Sequence, residues 1–301
     1  IQLEEGLSIM SKHDMSKHQQ NVSLLMEKIE DADAICVGAA SGLSAAGGHT
    51  FYYQRDKLFV EIFGAYEKKY GYHNSFDGFY YRYQSAEERW GFLAQSLHFI
   101  FHEKPLQPYK DLMALLRGKN FFAVTTNQDT QFSKVLPEEQ YSAIQGDFRF
   151  FQCSRRCHDE VYPAMEIVEK LHANIDSDLS VPTELIPRCP RCGALMEPWV
   201  RGFTFLEGSR YREAYAKWMD FLEKNKEKKL LLLELGVGRM TPMFIQEPFW
   251  ALTHQLPQAF YLTINPKDAM VPKLLYSKGA AIHEDIAAVF ADAVERKGKR
   301  V

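Results

Sequence analysis

Apolar positions along the chain follow two alternating periods. Val22, Leu25, Met26 and Ile29 stand at helical spacing, and Ala34-Ile35-Cys36-Val37 is a continuous apolar run leading into Gly38. The first pattern predicts an amphipathic helix, the second a short strand buried on both faces. The alternation returns with a helix around Leu112 to Leu116 and a strand at Phe121-Phe122-Ala123-Val124. It continues with strands at Lys229 to Leu235 and at Gln258 to Ile264, the latter ending at Asn265. Apolar strands alternating with helices, with turns at the strand ends, predict an α/β protein built on a doubly wound, Rossmann-like parallel sheet.

Two stretches break this rhythm. Residues 51–102 are crowded with aromatics, among them Tyr52, Tyr53, Tyr66, Phe76 and Tyr80, and carry little strand signal. Helices packed through these rings are expected there, with the aromatics serving as packing or, in part, lining a substrate channel. The second break lies between Cys153 and Cys192 and holds an amphipathic helix around Met165, Val168 and Leu171. The expected organisation is a polar arm at 1–20, a nucleotide-binding domain from 21–50, 103–150 and 200–301, a helical insertion at 51–102, and a zinc-binding module at 151–199. The last two would form a small second domain.

Composition narrows the function. Hydrophobic residues make up 46% of the 301 positions and charged residues 25%, as expected for a globular protein. A net charge of -3 argues against binding nucleic acid or anionic membranes through bulk electrostatics. No apolar run approaches a membrane span, and the first residues show no apolar leader core. Four of the five cysteines fall in two close pairs, which favours metal binding in a reducing cytoplasm over disulfides.

The pairs are Cys153-x3-Cys157 and Cys189-x2-Cys192. Two close-set thiolate pairs suit a structural tetrahedral zinc with no open position, and Pro190 and Gly193 suit a tight knuckle. Four reduced core cysteines are the alternative. Cys36, within a strand, is simply core. The basic residues from Arg296 to Arg300 read as a solvated end.

Candidate ligand-binding residues gather at strand ends, where open α/β sheets bind their ligands. The loop from Gly38 through Ala39, Ala40, Ser41, Gly42, Leu43 and Ser44 to Gly48 is dense in small residues that let backbone approach a pyrophosphate. It lacks G-x-G-x-x-G, so a plain flexible turn remains an alternative. Thr125-Thr126-Asn127-Gln128-Asp129 puts polar side chains after the next strand, either as a site or as an Asx turn capping a helix.

Taken in order, these segments resemble the sirtuin family. The loop is similar to its G-A-G-x-S segment, Asn127 and Asp129 to its T-x-N-x-D core, and Ile144-Gln145-Gly146-Asp147 to its H-G motif, followed by the zinc cysteines. The resemblance implies a fold that grips NAD, with Asn127 and Asp129 at the nicotinamide ribose. It extends to Gly236, Val237 and Gly238, similar to the sirtuin G-T-S-L…P segment, to Asn265 at the adenosine ribose and to Glu284 near adenine. Two departures stand out. His49-Thr50-Phe51 replaces the usual P-D-F-R-like segment, which implies a rebuilt nicotinamide pocket; His49 either lies in that pocket or is merely solvated. Gln145 replaces the histidine that serves as general base in deacylation, and an uncharged amide takes no proton at neutral pH.

Within the family the chain resembles the macrodomain-linked microbial class. That resemblance implies protein mono-ADP-ribosylation, a lipoylated glycine-cleavage H-like carrier protein as target, and a macrodomain hydrolase in the same pathway. Two other readings stay open: a deacylase that borrows another base, with His49 or His73 as candidates, and a non-catalytic NAD or ADP-ribose sensor.

Overall fold

The computed structural model describes residues 16–299, so most of the expected polar arm lies outside the described residues. Residues 17–20, assigned to that arm, instead open the first helix, α1 (Lys17–Asp31). Ser16 and Gln19 close a reciprocal capping box at its start, and Val22, Leu25 and Ile29 form its buried face. Strand β1 (Ala34–Ala39), buried along its whole length, and the short helix α2 (Ser41–Ala46) follow.

Residues 51–102 fold as three helices, α3 (Lys57–Tyr70), α4 (Ser75–Tyr80) and α5 (Ala86–His102). Asp56, Asn74 and Ser85 cap their N-termini through side-chain oxygens. The chain returns to the main sheet through α6 (Gln107–Leu116), β2 (Phe121–Thr125) and the three-residue β3 (Tyr141–Ala143). It then builds a separate antiparallel sheet from β4 (Gly146–Cys153), β5 (Val161–Pro163) and β6 (Met196–Val200), with α7 (Met165–His172) between the last two strands. Helix α8 (Ser209–Asn225), β7 (Leu230–Leu235), α9 (Gln246–Gln255), β8 (Phe260–Ile264), β9 (Gly279–Ile282) and α10 (Ile286–Gly298) complete the main layer structure.

The main sheet has six parallel strands in the order β3-β2-β1-β7-β8-β9. Strand order runs outward in both directions from β1, so the switch point lies between β1 and β7. Ligands of open α/β sheets bind outside the carboxyl ends of the strands at such a point. There the two backbones nearly touch. A Cβ on Gly42 would lie 2.5 Å from the Cα of Gly236, and Gly42 N–H donates to Gly236 O at 3.0 Å. Gly236 also holds φ at +65°, a conformation open to glycine.

The aromatics of 51–102 serve mainly as packing. Phe59, Phe63, Tyr66, Trp90 and Phe92 share one apolar core with Phe148, Phe151, Cys153, Val168, Leu171 and Cys189. The three helices and the small sheet are thus one packed unit. In α7, Val168 and Leu171 are buried as expected, but Met165 lies exposed.

One buried charge-bearing group stands in the main sheet. Glu234 of β7 is fully buried and accepts from Tyr261 Oη at 2.8 Å, Thr263 Oγ1 at 3.0 Å and Gln246 Nε2 at 3.1 Å. Burial outweighs these donors and pushes its carboxyl up to about 7 from 4.5. The folded protein therefore keeps this proton where the unfolded chain has lost it, and stability falls as pH rises from about 4.5 to about 7, then levels off. The expected loss is roughly 3 kcal/mol. Thermal unfolding of Glu234→Gln beside the unsubstituted chain should show a stability difference that shifts in the variant's favour from pH 5 to pH 8. A difference independent of pH would refute this reading.

Candidate active site

Four strand ends converge around the switch point: Ala39 of β1, Thr125 of β2, Leu235 of β7 and Ile264 of β8. Thr125 Oγ1 donates to Ala39 O at 2.8 Å and accepts from Asn127 N–H at 2.9 Å, which fixes the turn after β2. Asn127 Nδ2 then faces Ala40 O at 3.0 Å, Tyr109 Oη at 3.1 Å and Ser44 Oγ at 3.3 Å. Ser44 Oγ contacts Tyr109 Oη at 2.7 Å and donates to Asp129 Oδ2 at 2.5 Å. The donors can therefore run in one direction, Asn127 to Tyr109 to Ser44 to Asp129. That polarised chain ends on a carboxylate.

Burial raises the Asp129 carboxyl above its ordinary range, opposed by the Ser44 hydrogen bond and the neighbouring His49. Tyr109, fully buried, is held well above the usual phenol range by burial and by the Asp129 charge. Thr130, the next residue, has φ at +65° and a buried hydroxyl with no protein partner. A β-branched residue in that region is strained, and such strain concentrates at functional sites.

His49 is buried beside this network. Its Nε2 contacts Glu103, whose other carboxylate oxygen accepts from Gln131 Nε2 at 3.2 Å. The solvated alternative for His49 is thereby excluded. His73, the other histidine considered, is on the surface and contacts Glu67 at 2.7 Å.

Gln145 sits where β3 gives way to β4, buried, with its amide oxygen accepting from Arg201 Nε at 3.2 Å. Its Nε2 donates to Ile144 O at 3.1 Å, and its backbone carbonyl accepts from Gln128 Nε2 at 3.0 Å and Arg201 N–H at 2.8 Å. Gln128 lies between Asn127 and Asp129, so Gln145 joins the same turn by one side chain. Gly146 is required by geometry: φ is +93°, and a Cβ would lie 2.1 Å from Trp199 O.

The structure also redistributes several expected roles. Gly38 lies at the end of β1, and a Cβ there would meet Ile245 and Phe249 of the α9 side, so packing also requires a glycine at this position. The Ser44 hydroxyl, expected in the small-residue loop that faces phosphate, is spent inside the Asn127–Asp129 network. Asn265 donates to Val237 O at 3.0 Å and accepts from Lys267 and Asp268 N–H, tying the β7 and β8 ends together. Gly238 is open, with nothing within 4 Å of a Cβ, and Val237 is buried. Glu284, expected near adenine, is engaged by His18 Nδ1 at 2.5 Å and by Asn21, both on α1. These partners hold its carboxyl below the ordinary range despite burial. Tyr109 and Arg201 carry no signal in the sequence, because each reaches the site from a distant element and no local pattern marks it.

The four paired cysteines converge as well. Cys153 and Cys192 sulfurs lie 3.5 Å apart, Cys157 and Cys189 3.6 Å, and all four within 4.8 Å of one another. All are free thiols. Zn–S bonds of about 2.3 Å place tetrahedral sulfurs about 3.8 Å apart, so the cluster fits a structural zinc with no open position. Arg156 at φ +51° and Gly193 at φ +71° form the two knuckles. No helix among the described residues is long and apolar enough to cross a membrane.

Comparison with solved structures gives the class. The chain is similar to a Sir2 homologue solved with NAD, at TM-score 0.58 and 15% identity over 92% of this chain and 94% of that one. It is also similar to a mutant Sir2 homologue with ADP-ribose, at TM-score 0.60 and 15% identity, covering 95% and 98%. This is the Sir2 fold. No family model matches the chain. A protein ADP-ribosyltransferase of Staphylococcus aureus (strain Mu50) is 30% identical over 284 residues, spanning 93% of this chain and 89% of that protein. A probable bifunctional ADP-ribose hydrolase/ADP-ribosyltransferase of Fusarium oxysporum f. sp. cubense is 33% identical over 240 residues, 76% of this chain and 40% of that longer protein. The chain belongs to the family of sirtuin-like protein ADP-ribosyltransferases.

Proposed function

We propose that the protein transfers a single ADP-ribosyl group from NAD to a lipoylated, glycine-cleavage H-like carrier protein, releasing nicotinamide. The observation that carries the reaction type is Gln145, an amide oriented by Arg201 at the position of the family's usual base. Cleavage of the nicotinamide–ribose bond passes through an oxocarbenium-like state, which needs positioning and electrostatic help more than a base. Deacylation needs a base to deprotonate a ribose hydroxyl, and Gln145 cannot supply it. A carboxylate acceptor arrives already ionised.

In this reading Asn127 and Asp129 hold the nicotinamide ribose, and Gln145 orients it by hydrogen bonding. Backbone around Ala39, Ala40, Ser41 and Gly42 faces the phosphates. Gly236, Val237, Gly238 and Asn265 border the adenosine side, with Glu284 beyond them. The fungal relative, whose name joins a probable ADP-ribose hydrolase to a transferase, supports a macrodomain hydrolase as the enzyme that reverses the modification. The lipoylated carrier rests on the resemblance to the macrodomain-linked class. Intact-mass analysis of lipoylated and unlipoylated carrier after incubation with NAD tests it: only the lipoylated form should gain ADP-ribose, and equal labelling of both would remove the lipoyl requirement.

One observation favours a second reading. His49 lies beside Asp129 and is paired with Glu103, an arrangement able to act as a base in deacylation. Accumulation of O-acyl-ADP-ribose from an acylated peptide, lost in His49→Gln, would establish it.

A further inference from the structure

We propose that His98, His102 and Glu169 form a second metal site, for a divalent transition cation of zinc's class, bridging α5 and α7. His98 and His102 stand four residues apart on α5 and so share one helix face. Glu169 comes from α7, which packs against that face. Its Oε1 lies 3.3 Å from His98 Nδ1 and 2.7 Å from His102 Nε2, with the three ligand atoms within 4.8 Å of one another. Tetrahedral zinc with bonds of about 2.0–2.1 Å sets neighbouring N and O donors about 3.3 Å apart. The donors therefore stand near ligand spacing already.

The donor set is also chemically selective. Two imidazoles and a carboxylate suit zinc and its first-row neighbours better than calcium or magnesium, which favour all-oxygen shells. The His98 ring is held in place: it stacks on His172 with centroids 3.7 Å apart and planes 4° from parallel. His172 in turn contacts Gln95 Oε1 through Nε2 at 3.2 Å. Parallel stacked rings direct their in-plane lone pairs side by side, so His172 positions His98 and is not itself a ligand. The site opens to solvent, the side chains of His102 and Glu169 being 57% and 41% exposed. Three protein ligands leave a fourth position for water, unlike the closed four-cysteine cluster. An occupied site would clamp the helical segment to the cysteine module at a second point.

The test uses full-length protein with its cysteine cluster loaded with zinc, titrated with Co2+. One further equivalent should bind, giving visible d–d absorption without the near-ultraviolet thiolate-to-cobalt band, and raising the thermal midpoint. His98→Gln/His102→Gln, which alters partly exposed positions, should weaken this uptake at least about 10-fold, since loss of a group that merely supports a metal ligand already costs about that much. No second equivalent, uptake with a thiolate band, or equal uptake by the double variant would each overturn the proposal.

Discussion

Asn127→Ala should abolish ADP-ribosyl transfer, lowering turnover by about 100- to 1000-fold, the usual cost of removing one preorganised polar group from a reacting centre. Its Nδ2 faces Ala40 O, Tyr109 Oη and Ser44 Oγ together, so it ties the β1 turn to the donors that end on Asp129. Alanine leaves Ala40 O without this donor and frees Tyr109 and Ser44 to reorient. The fold should survive, because Asn127 is only partly buried and its backbone N–H remains held by Thr125 Oγ1. Nicotinamide release and thermal unfolding, measured on the same preparation, separate the two effects. Undiminished transfer by a folded variant would refute the site assignment.

The second large effect falls on stability. Cys189→Ser, or prolonged chelation, should destabilise the small unit by at least about 3 kcal/mol, since binding of a structural zinc is folding free energy for the segment it closes. Cys153 and Cys189 are buried in the same apolar core as Phe59, Phe63, Trp90 and Leu171. Loss of the cluster should therefore loosen α3 and α5 as well as β4 to β6. The six-stranded sheet has its own core from β1, β2, β7 and β8 with α1, α6 and α10, and should remain folded. Hydrogen exchange followed by mass spectrometry reads this directly. Faster exchange at residues 57–102 and 146–200, with β1 and β7 unchanged, is expected. Unchanged exchange throughout would show that the cysteines bear no structural load.

Much of this architecture was legible because its signals are local. Strands β1, β2, β7 and β8 are mostly apolar, with Glu234 in β7 and Thr263 in β8 among the polar exceptions, which is what burial on both faces of a parallel sheet favours. The cysteine spacing announced its cluster in the same way. Strands β3 and β9, of three and four residues, are too short for any period to register. They exist through pairing with β2 and β8, a tertiary effect. Between the two sheets no exposed linker marks the passage, because residues 144–148 are buried and β4 starts at Gly146.

The site was half legible for a related reason. Asn127, Asp129 and Gln145 lie in recognisable segments, and the structure places all three on or beside the turn after β2. Their partners do not announce themselves: Tyr109 reaches Ser44 across 65 residues, and Arg201 reaches Gln145 across 56. At Gly38 glycine is ambiguous in sequence, and the Ile245 and Phe249 side chains that a Cβ would meet add a packing constraint that no local pattern announces. Order along the chain is the only sequence signal at Glu284, and it carries no information about the contacts α1 makes with it.

In the proposed function, Gln145 on the Sir2 fold favours ADP-ribosyl transfer over acyl removal. The most direct measurement supplies the protein with NAD, lipoylated carrier protein and an acylated peptide together and resolves all products by mass spectrometry. The account predicts nicotinamide released in step with ADP-ribose gained by the carrier, and an intact acyl peptide. O-acyl-ADP-ribose accumulating while the carrier stays unlabelled would contradict it.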